Sequence, residues 1–204
     1  MRNINQEELK KILKEHELWL KGEGGKRADL SNADLRCANL RCVDLRYTNL
    51  RYTNLSNADL SFANLSYSNL RYTNLRCADL SSANLKDIKT NIHTIGYHLA
   101  CPETGSFIGY KKANGCLIEL LILEDSKRSS ATSAKCRCDK AKVLDIENIE
   151  TEKKVNKVNS NYDSNFIYRV GEIVSVDNFD NNRWNECTTG IHFFINKENA
   201  INYR

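Results

Sequence analysis

From position 30 to position 85 a leucine returns at every fifth residue without a miss. The residue before each of these leucines is only Asp or Asn, and the residue two before is Ala, Thr, Ser or, at position 43, Val. Neither common backbone period accounts for this. Residues five apart fall on different faces of a helix and on alternating faces of a strand. A chain that turns a corner every five residues puts every leucine into one interior, and the twelve blocks from Arg27 to Lys86 predict such a coil.

The flanks carry other periods. Asn5 followed by Glu8 has the spacing of a capping-box helix start. Leu9, Ile12, Leu13, His16 and Leu20 then share one helical face, with Trp19 beside it, and Gly22, Gly24 and Gly25 stop the helix. Residues 5–21 are therefore predicted to be a helix that lids the first coil, the alternative being a partner-binding helix; His16 reads as a packed histidine. Past Lys86 the period decays. Phe107–Tyr110 and Cys116–Leu123 flank Asn114-Gly115, a hairpin signal. Ala141–Ile146, Phe166–Val174 and Ile191–Ile195 are expected strands, 196–203 a short helix, and Glu147–Asn165, rich in Lys, Asn, Glu and Ser, a loop.

Blocks such as ADLSN (28–32), ANLRC (38–42) and TNLRY (48–52) closely resemble the pentapeptide repeat family. The resemblance implies a right-handed, four-sided β-helix with four repeats per coil, hence three coils, about 15 Å long at the usual inter-strand spacing. A change such as Leu30→Asp would then bury an unpaired charge and wreck the coil. The expected fold is mainly β: a capping helix (1–25), the β-helix (26–92) and a C-terminal α+β domain (93–204) that covers the other end. With both ends covered, a monomer is favoured over a homodimer.

Composition adds limits. No stretch approaches the roughly 18 apolar residues that span a bilayer, and the N-terminus has no secretory pattern, so the cytoplasm is the default. Eight cysteines without that pattern read as reduced thiols, and a lone Cys136-x-Cys138 is not a zinc motif, so no metal is assigned. The formal net charge of +4 is mild and makes no case for nucleic acid as the partner. Residues 27–86 carry eight Lys and Arg against five Asp, the wrong sign for the acidic rods with which some pentapeptide repeat proteins are thought to imitate DNA before topoisomerases.

Three regions could carry chemistry. On the repeats, four-block stacking would place Tyr47 over Tyr67, Tyr52 over Tyr72 and Arg51 over Arg71. That is either an interaction surface or ladders that simply stabilise the coils. Residues 127–142 gather six basic residues, one acid and four hydroxyls, among them Arg128, Ser129, Ser130, Thr132, Lys135 and Arg137. Such a set suits a phosphate or carboxylate, the more so if Ser129–Ser133 opens a helix; the alternative is a solvated basic loop. The tail adds Arg183, Trp184, His192 and Tyr203. Together with SFIGYKK (106–112) and KRSSATSAKCR (127–137), it resembles a domain of unknown function that follows pentapeptide repeats in phage and prophage proteins.

Gly190–Phe193 and the helix ending at Tyr203 are also similar to a stretch of ADP-ribosyltransferases, with His192 in place of its first Tyr and Tyr203 matching the ring that stacks on nicotinamide. That family's catalytic Glu lies on a later strand than this sequence reaches, so the similarity implies at most a nucleotide-like pocket. No Ser-His-Asp, Cys-His or paired-carboxylate set can be assembled, and no catalytic residue or cofactor is assigned. The expectation is a non-enzymatic protein, phage- or prophage-encoded, that engages a host protein. The alternative is a binder of a small anionic ligand around Arg128, Arg183 and His192, which requires Arg128, Arg137, Arg183, Trp184 and His192 to converge on one pocket.

Overall fold

A computed structural model describes residues 1–203, and the chain is mainly β, divided into two compact units, Met1–His98 and Leu99–Arg204. The division falls after His98, and the repeat ladder runs on past the last repeat through Asn69↔Lys89 and Asn74↔Ile95.

The first unit opens with β1 (Arg2–Asn3) and α1 (Gln6–Lys21). Asn5 caps the helix by accepting from the Glu8 N–H at 2.9 Å, and Gly22 ends it at φ 73°. A further strand, β2 (Ala33–Asp34), pairs in parallel with β1, so the N-terminus extends the ladder before the repeats begin. Within the repeats the bridges join residues twenty apart, from Asp29↔Asn49 to Asn69↔Lys89. Four five-residue blocks therefore return the chain to the same place. One residue is inserted in the last return, Asn74↔Ile95, and there Gly96 at φ 79° lies against the Leu75 and Arg76 backbone, where a Cβ would collide.

The Asp/Asn restriction has a direct cause. At all twelve repeats this side chain accepts the backbone N–H of the residue two further on, as Asp29 does from Ser31 at 2.9 Å and Asn84 from Lys86 at 3.1 Å. The residue after that turns the corner in the left-handed region, with φ between 54° and 63° from Asn32 to Asp87. Such a conformation costs a non-glycine residue about 1–2 kcal/mol. The Asx bonds and the ladder offset it. Leucines 30 to 80 are at most 3% exposed, and Thr53, Thr73 and Thr94 hand their hydroxyls to the carbonyls of Leu30, Leu50 and Leu70. Of the residues after Leu, Ser61 and Ser66 are buried, each hydroxyl bonding back to Asp59 or Asn64.

His16 joins α1 to the repeats. It is fully buried, its Nδ1 accepts the Ala28 N–H and its Nε2 meets the Thr48 hydroxyl, each at 3.2 Å. Accepting at Nδ1 requires the neutral ring, and burial correspondingly lowers its pKa.

The second unit holds a seven-stranded antiparallel sheet in the order β10-β7-β4-β3-β11-β6-β5, built from β3 (Phe107–Ala113), β4 (Cys116–Ile122), β5 (Arg128–Ser130), β6 (Lys135–Cys138), β7 (Lys140–Asn148), β10 (Ile173–Ser175) and β11 (Ile191–Phe194). A separate pair, β8 (Lys157–Asn159) and β9 (Ile167–Arg169), flanks it, and α2 (Lys197–Ile201) packs Ala200 and Ile201 on Leu117 and Phe194. Three expectations change. The basic stretch is neither loop nor helix opening but two strands, since all four residues of β6 are buried. The strand expected over 166–174 breaks at Gly171, φ 88°, and the expected loop 147–165 contains β8.

Replacing His16 by Phe should lower urea-measured stability of the first unit by about 2–4 kcal/mol, as the Ala28 N–H and Thr48 hydroxyl lose their partner. Because the native pKa is depressed, the His16 contribution is full above the unfolded value of 6.5 and fades as the pH falls below it.

Candidate functional site

The sheet of the second unit has one weak seam. β3 runs paired with β4 along its whole length, but it meets β11 through the single pair Phe194↔Tyr110. Where the two strands part, Lys111 bridges them, its Nζ donating to the His192 carbonyl at 3.3 Å. A cavity of about 370 Å³ opens there, lined by Lys111, Lys135, Tyr168, Cys187, His192 and Tyr203 among others.

Two ammonium groups dominate it. Lys111 is partly buried, and desolvation depresses its pKa to about 8, with the Lys135 charge adding to the effect. Among the described residues no carboxylate forms an ion pair with Lys111. Lys135 is 5% exposed; its Nζ donates to the Cys187 sulfur at 3.2 Å and the Tyr203 hydroxyl at 3.3 Å, with the Glu186 carboxylate at 4.0 Å. Burial alone would push Lys135 down, but those partners outweigh it and leave it raised. His192 is held neutral, with a pKa depressed to about 4 by burial and then by Lys135, Lys111 and Arg137; a backbone hydrogen bond at Thr188 opposes them. Its Nε2 is buried without a hydrogen-bond partner among the described residues.

The loop that closes the cavity is pinned from beneath. Arg137, 1% exposed in β6, donates to the carbonyls of Asp180, Asn182 and Thr189 at 2.9–3.0 Å and lies under the Phe179 ring. Gly190 then passes so close that a Cβ would press on the Arg137 side chain, which a φ of 147° also disfavours.

A profile of the pentapeptide repeats matches residues 26–61 and 53–89, and the family of unknown function DUF5758 matches residues 97–200, half of the chain. It is a pentapeptide-repeat protein of the DUF5758 family. No curated protein matches it. Among solved structures it is similar to the pentapeptide repeat protein Rfr23 of the cyanobacterium Cyanothece 51142, 34% identical over 33% of this chain and 50% of that one, with a TM-score of 0.30. A pentapeptide repeat protein of Nostoc PCC 7120 is 31% identical over 40% of this chain and 80% of that one, at 0.26. HetL of the same Nostoc strain, a protein involved in heterocyst differentiation regulation, is 41% identical over 31% and 35%, at 0.16. The chain spans half the length of Rfr23.

In this pentapeptide-repeat protein the residues expected to converge do not. Lys135, His192 and Tyr203 line the cavity; Arg128, Ser129 and Arg183 line a separate shallow hollow, and Arg137 lies below the sheet's loop. The donors of these arginines hold backbone carbonyls. Arg128 serves Ser126, Gly105, Leu123 and Glu124, and Arg183 serves Ser130 and Ala131 while lying 4.3 Å over the Trp184 ring. The Ser130 hydroxyl accepts the Ala100 N–H, and Thr132 is buried. On the repeats Tyr47 stacks on Tyr67 at 5.1 Å, and Tyr52 on Tyr72 at 4.7 Å, a ladder that continues to His93. Arg51 lies over the Tyr52 ring, while Arg71 stands exposed.

Lys111 and Cys187 were missed. Lys111 has a legible signal: it shares the parity of Gly109 and Ala113, both buried, so a lysine stands on the inward side of a strand. Cys187 has none, because its loop has no period. Among the described residues no group of His, Cys, Asp or Glu could hold a metal ion, and no helix is long and apolar enough to cross a membrane.

The depressed His192 pKa carries a sign. Its stabilising contribution is complete above pH 6.5 and is lost as the pH falls from 6.5 towards 4, by up to about 3 kcal/mol. Urea titrations of the native protein and His192→Phe should therefore diverge in slope across that window, the variant losing less; parallel curves would show that the ring is not desolvated.

Proposed function

We propose that this is a non-enzymatic binding protein in which the repeats form the scaffold and the DUF5758 domain binds a small anionic ligand. The scaffold reading is a right-handed, four-sided β-helix of three coils with α1 as its lid. The ligand reading is carried by one observation, the Lys111 ammonium: it is desolvated beside a second ammonium and has no carboxylate paired with it among the described residues. A charge taken from water without a counter-charge is costly. An anion in the cavity repays that cost, and the 370 Å³ volume falls at the lower end of the range for small-molecule sites, roughly 300–1,000 Å³.

Calorimetric titration with inorganic phosphate is the direct test. Lys111→Met and Lys135→Met should each weaken binding at least about tenfold, the effect of roughly 1.4 kcal/mol. The pH dependence separates this site from surface lysines. Anion binding needs the charged amine, so affinity should fall as the pH rises through about 8, well below the ordinary lysine value of 10.5. Affinity that holds steady to pH 10 would remove Lys111 from the site.

A second reading places a protein partner on the repeats. Tyr47, Tyr52, Tyr67 and Tyr72 are all exposed although stacked, and Tyr with Arg is the residue pairing enriched at interface hot spots. In this reading the protein is phage- or prophage-encoded, acts as a monomer in the host cytoplasm and engages a host protein. A stoichiometric protein captured from host lysate should be lost from the Tyr67→Ala, Tyr72→Ala double variant; retention would reduce the tyrosines to a stabilising ladder.

A further inference from the structure

The arginines of the repeats are not equivalent, and the Asp/Asn position two residues before each one separates them. Arg36 and Arg46 follow Asp34 and Asp44 and form ion pairs with them at 2.7 and 2.9 Å. Arg41 follows Asn39, but its guanidinium donates to the Ser61 hydroxyl at 2.7 Å and lies 4.5 Å over the Phe62 ring. Arg51 and Arg71 follow Asn49 and Asn69, whose amide oxygens accept the arginine N–H at 3.4 and 3.3 Å. The turn is thereby closed without a carboxylate, and among the described residues no ion pair engages either guanidinium. Asn in these two blocks keeps the fold and removes the counter-charge.

These two arginines share one face. Residues 47–51 and 67–71 lie on successive coils, joined through Asn49↔Asn69. The edges of that face are the stacked corners Tyr47–Tyr67 and Tyr52–Tyr72, and all four rings are exposed. Arg51 lies 5.4 Å over the Tyr52 ring. Trp19 meets Tyr47 edge-on at one end, and His93 stacks on Tyr72 at the other. The coils before and after restore the balance of charge, since Asp29 and Asp87 are exposed there, two residues from Arg27 and Lys89. The uncompensated positive charge is confined to two rungs.

A partner for this face brings negative charge of limited extent. Nucleic acid fits poorly on two counts. Stacking bases need free ring faces, and these tyrosines spend theirs on each other at 4.7–5.1 Å with nearly parallel planes. An extended polyanion also meets Asp29 and Asp87 at the ends. What the rings turn outward is their electropositive edges and hydroxyl donors, which suit carboxylates. The spacing narrows the choice further. Neighbouring rungs are about 4.8 Å apart, whereas same-side residues of a strand stand roughly 6.6 Å apart. Side chains one turn apart on a helix are about 5–6 Å apart, the closer match.

We propose that the face of residues 47–51 and 67–71 docks an acidic α-helix of a protein partner, with two carboxylates one turn apart seated on Arg51 and Arg71 between the tyrosine ladders. This rests on the partner-binding reading of the repeats and names the face and the chemistry of what it takes. The carboxylates supply the counter-charge that Asn49 and Asn69 withhold, and the tyrosine edges border the helix on both sides.

The test titrates the full chain, by fluorescence anisotropy, with alanine-based helical peptides and a single-stranded oligonucleotide. One peptide carries two glutamates four residues apart, a second carries them two residues apart, a third has glutamine and a fourth lysine in their place. The first should bind about tenfold more tightly than the glutamine peptide, and more tightly than the second peptide or the oligonucleotide. The Arg51→Glu, Arg71→Glu double variant should lose that affinity and gain affinity for the lysine peptide, a reversal that only a folded face can give. Arg36→Gln, at an arginine already paired with Asp34, should leave the first peptide's affinity within about twofold. Equal binding of the two glutamate peptides, tighter binding of the oligonucleotide, or an equal loss in Arg36→Gln overturns the proposal. Capture of a lysate protein separates the two readings. A protein lost from the Tyr67→Ala, Tyr72→Ala variant but kept by Arg51→Glu, Arg71→Glu overturns the acidic-helix assignment and leaves the repeat surface standing. A protein kept by both variants removes both readings.

Discussion

One hydrogen bond, made twelve times, governs the first unit. An Asp or Asn oxygen accepts the N–H two residues on, and this closes the turn that sends the next residue into the left-handed region. Without it the corner would cost its non-glycine residue more than the adjoining ladder bond returns. With it, any side chain can stand at the corner, which is why Cys37, Tyr47, Asn57 and Phe62 occupy equivalent places. The same turn forces Leu inward and the corner residue outward. The leucine core and the exposed tyrosine stacks are thus two results of one local bond. Asn serves this role as well as Asp, since only a carbonyl-type oxygen is needed. The surface charge of the repeats is therefore free to vary without any effect on the fold.

The second unit is organised by a fault rather than a repeat. Seven strands form one sheet, but β3 and β11 remain paired only at Phe194↔Tyr110. Gly109 explains part of this. The Phe193 ring lies over it so closely that any Cβ would overlap, so β11 is held to β3 by a side chain laid across the strand rather than by a continued ladder. The carbonyl freed at His192 then takes the Lys111 ammonium. A sheet seam left open in this way needs a polar group to close it, and that group brings its charge into the cavity with it.

How much of this the sequence disclosed follows from where order is local. The repeats, the helix start at Asn5 and the Asn114-Gly115 hairpin were all legible, because each is fixed by residues a few positions apart. The packed role of His16 was legible too, from its place on the apolar face of α1. The cavity was half legible. Lys135, His192 and Tyr203 were named, but with Arg128, Arg137 and Arg183, which belong elsewhere. Density of charge along the chain could not separate them. What separates them is long-range: β6 pairs with β11 across more than fifty residues, and that pairing decides which side chains meet the cavity and which meet the loop beneath it.

The separation between arginine and lysine has a chemical basis. A guanidinium offers five donors in a rigid fork, always charged, and it can knit several carbonyls of irregular chain into one place. Arg128, Arg137 and Arg183 all do so, each holding backbone carbonyls of segments distant in the sequence or turning in a loop. An ammonium is a compact and strongly hydrated point charge, and a carbonyl at 3.3 Å or a sulfur at 3.2 Å uses that charge only in part. Arg137 therefore pins the loop beside the cavity, while Lys111 and Lys135 face into it. The neutral state of His192 has the same surroundings as its cause: burial first, and then the charges of Lys135, Lys111 and Arg137, make protonation there unfavourable.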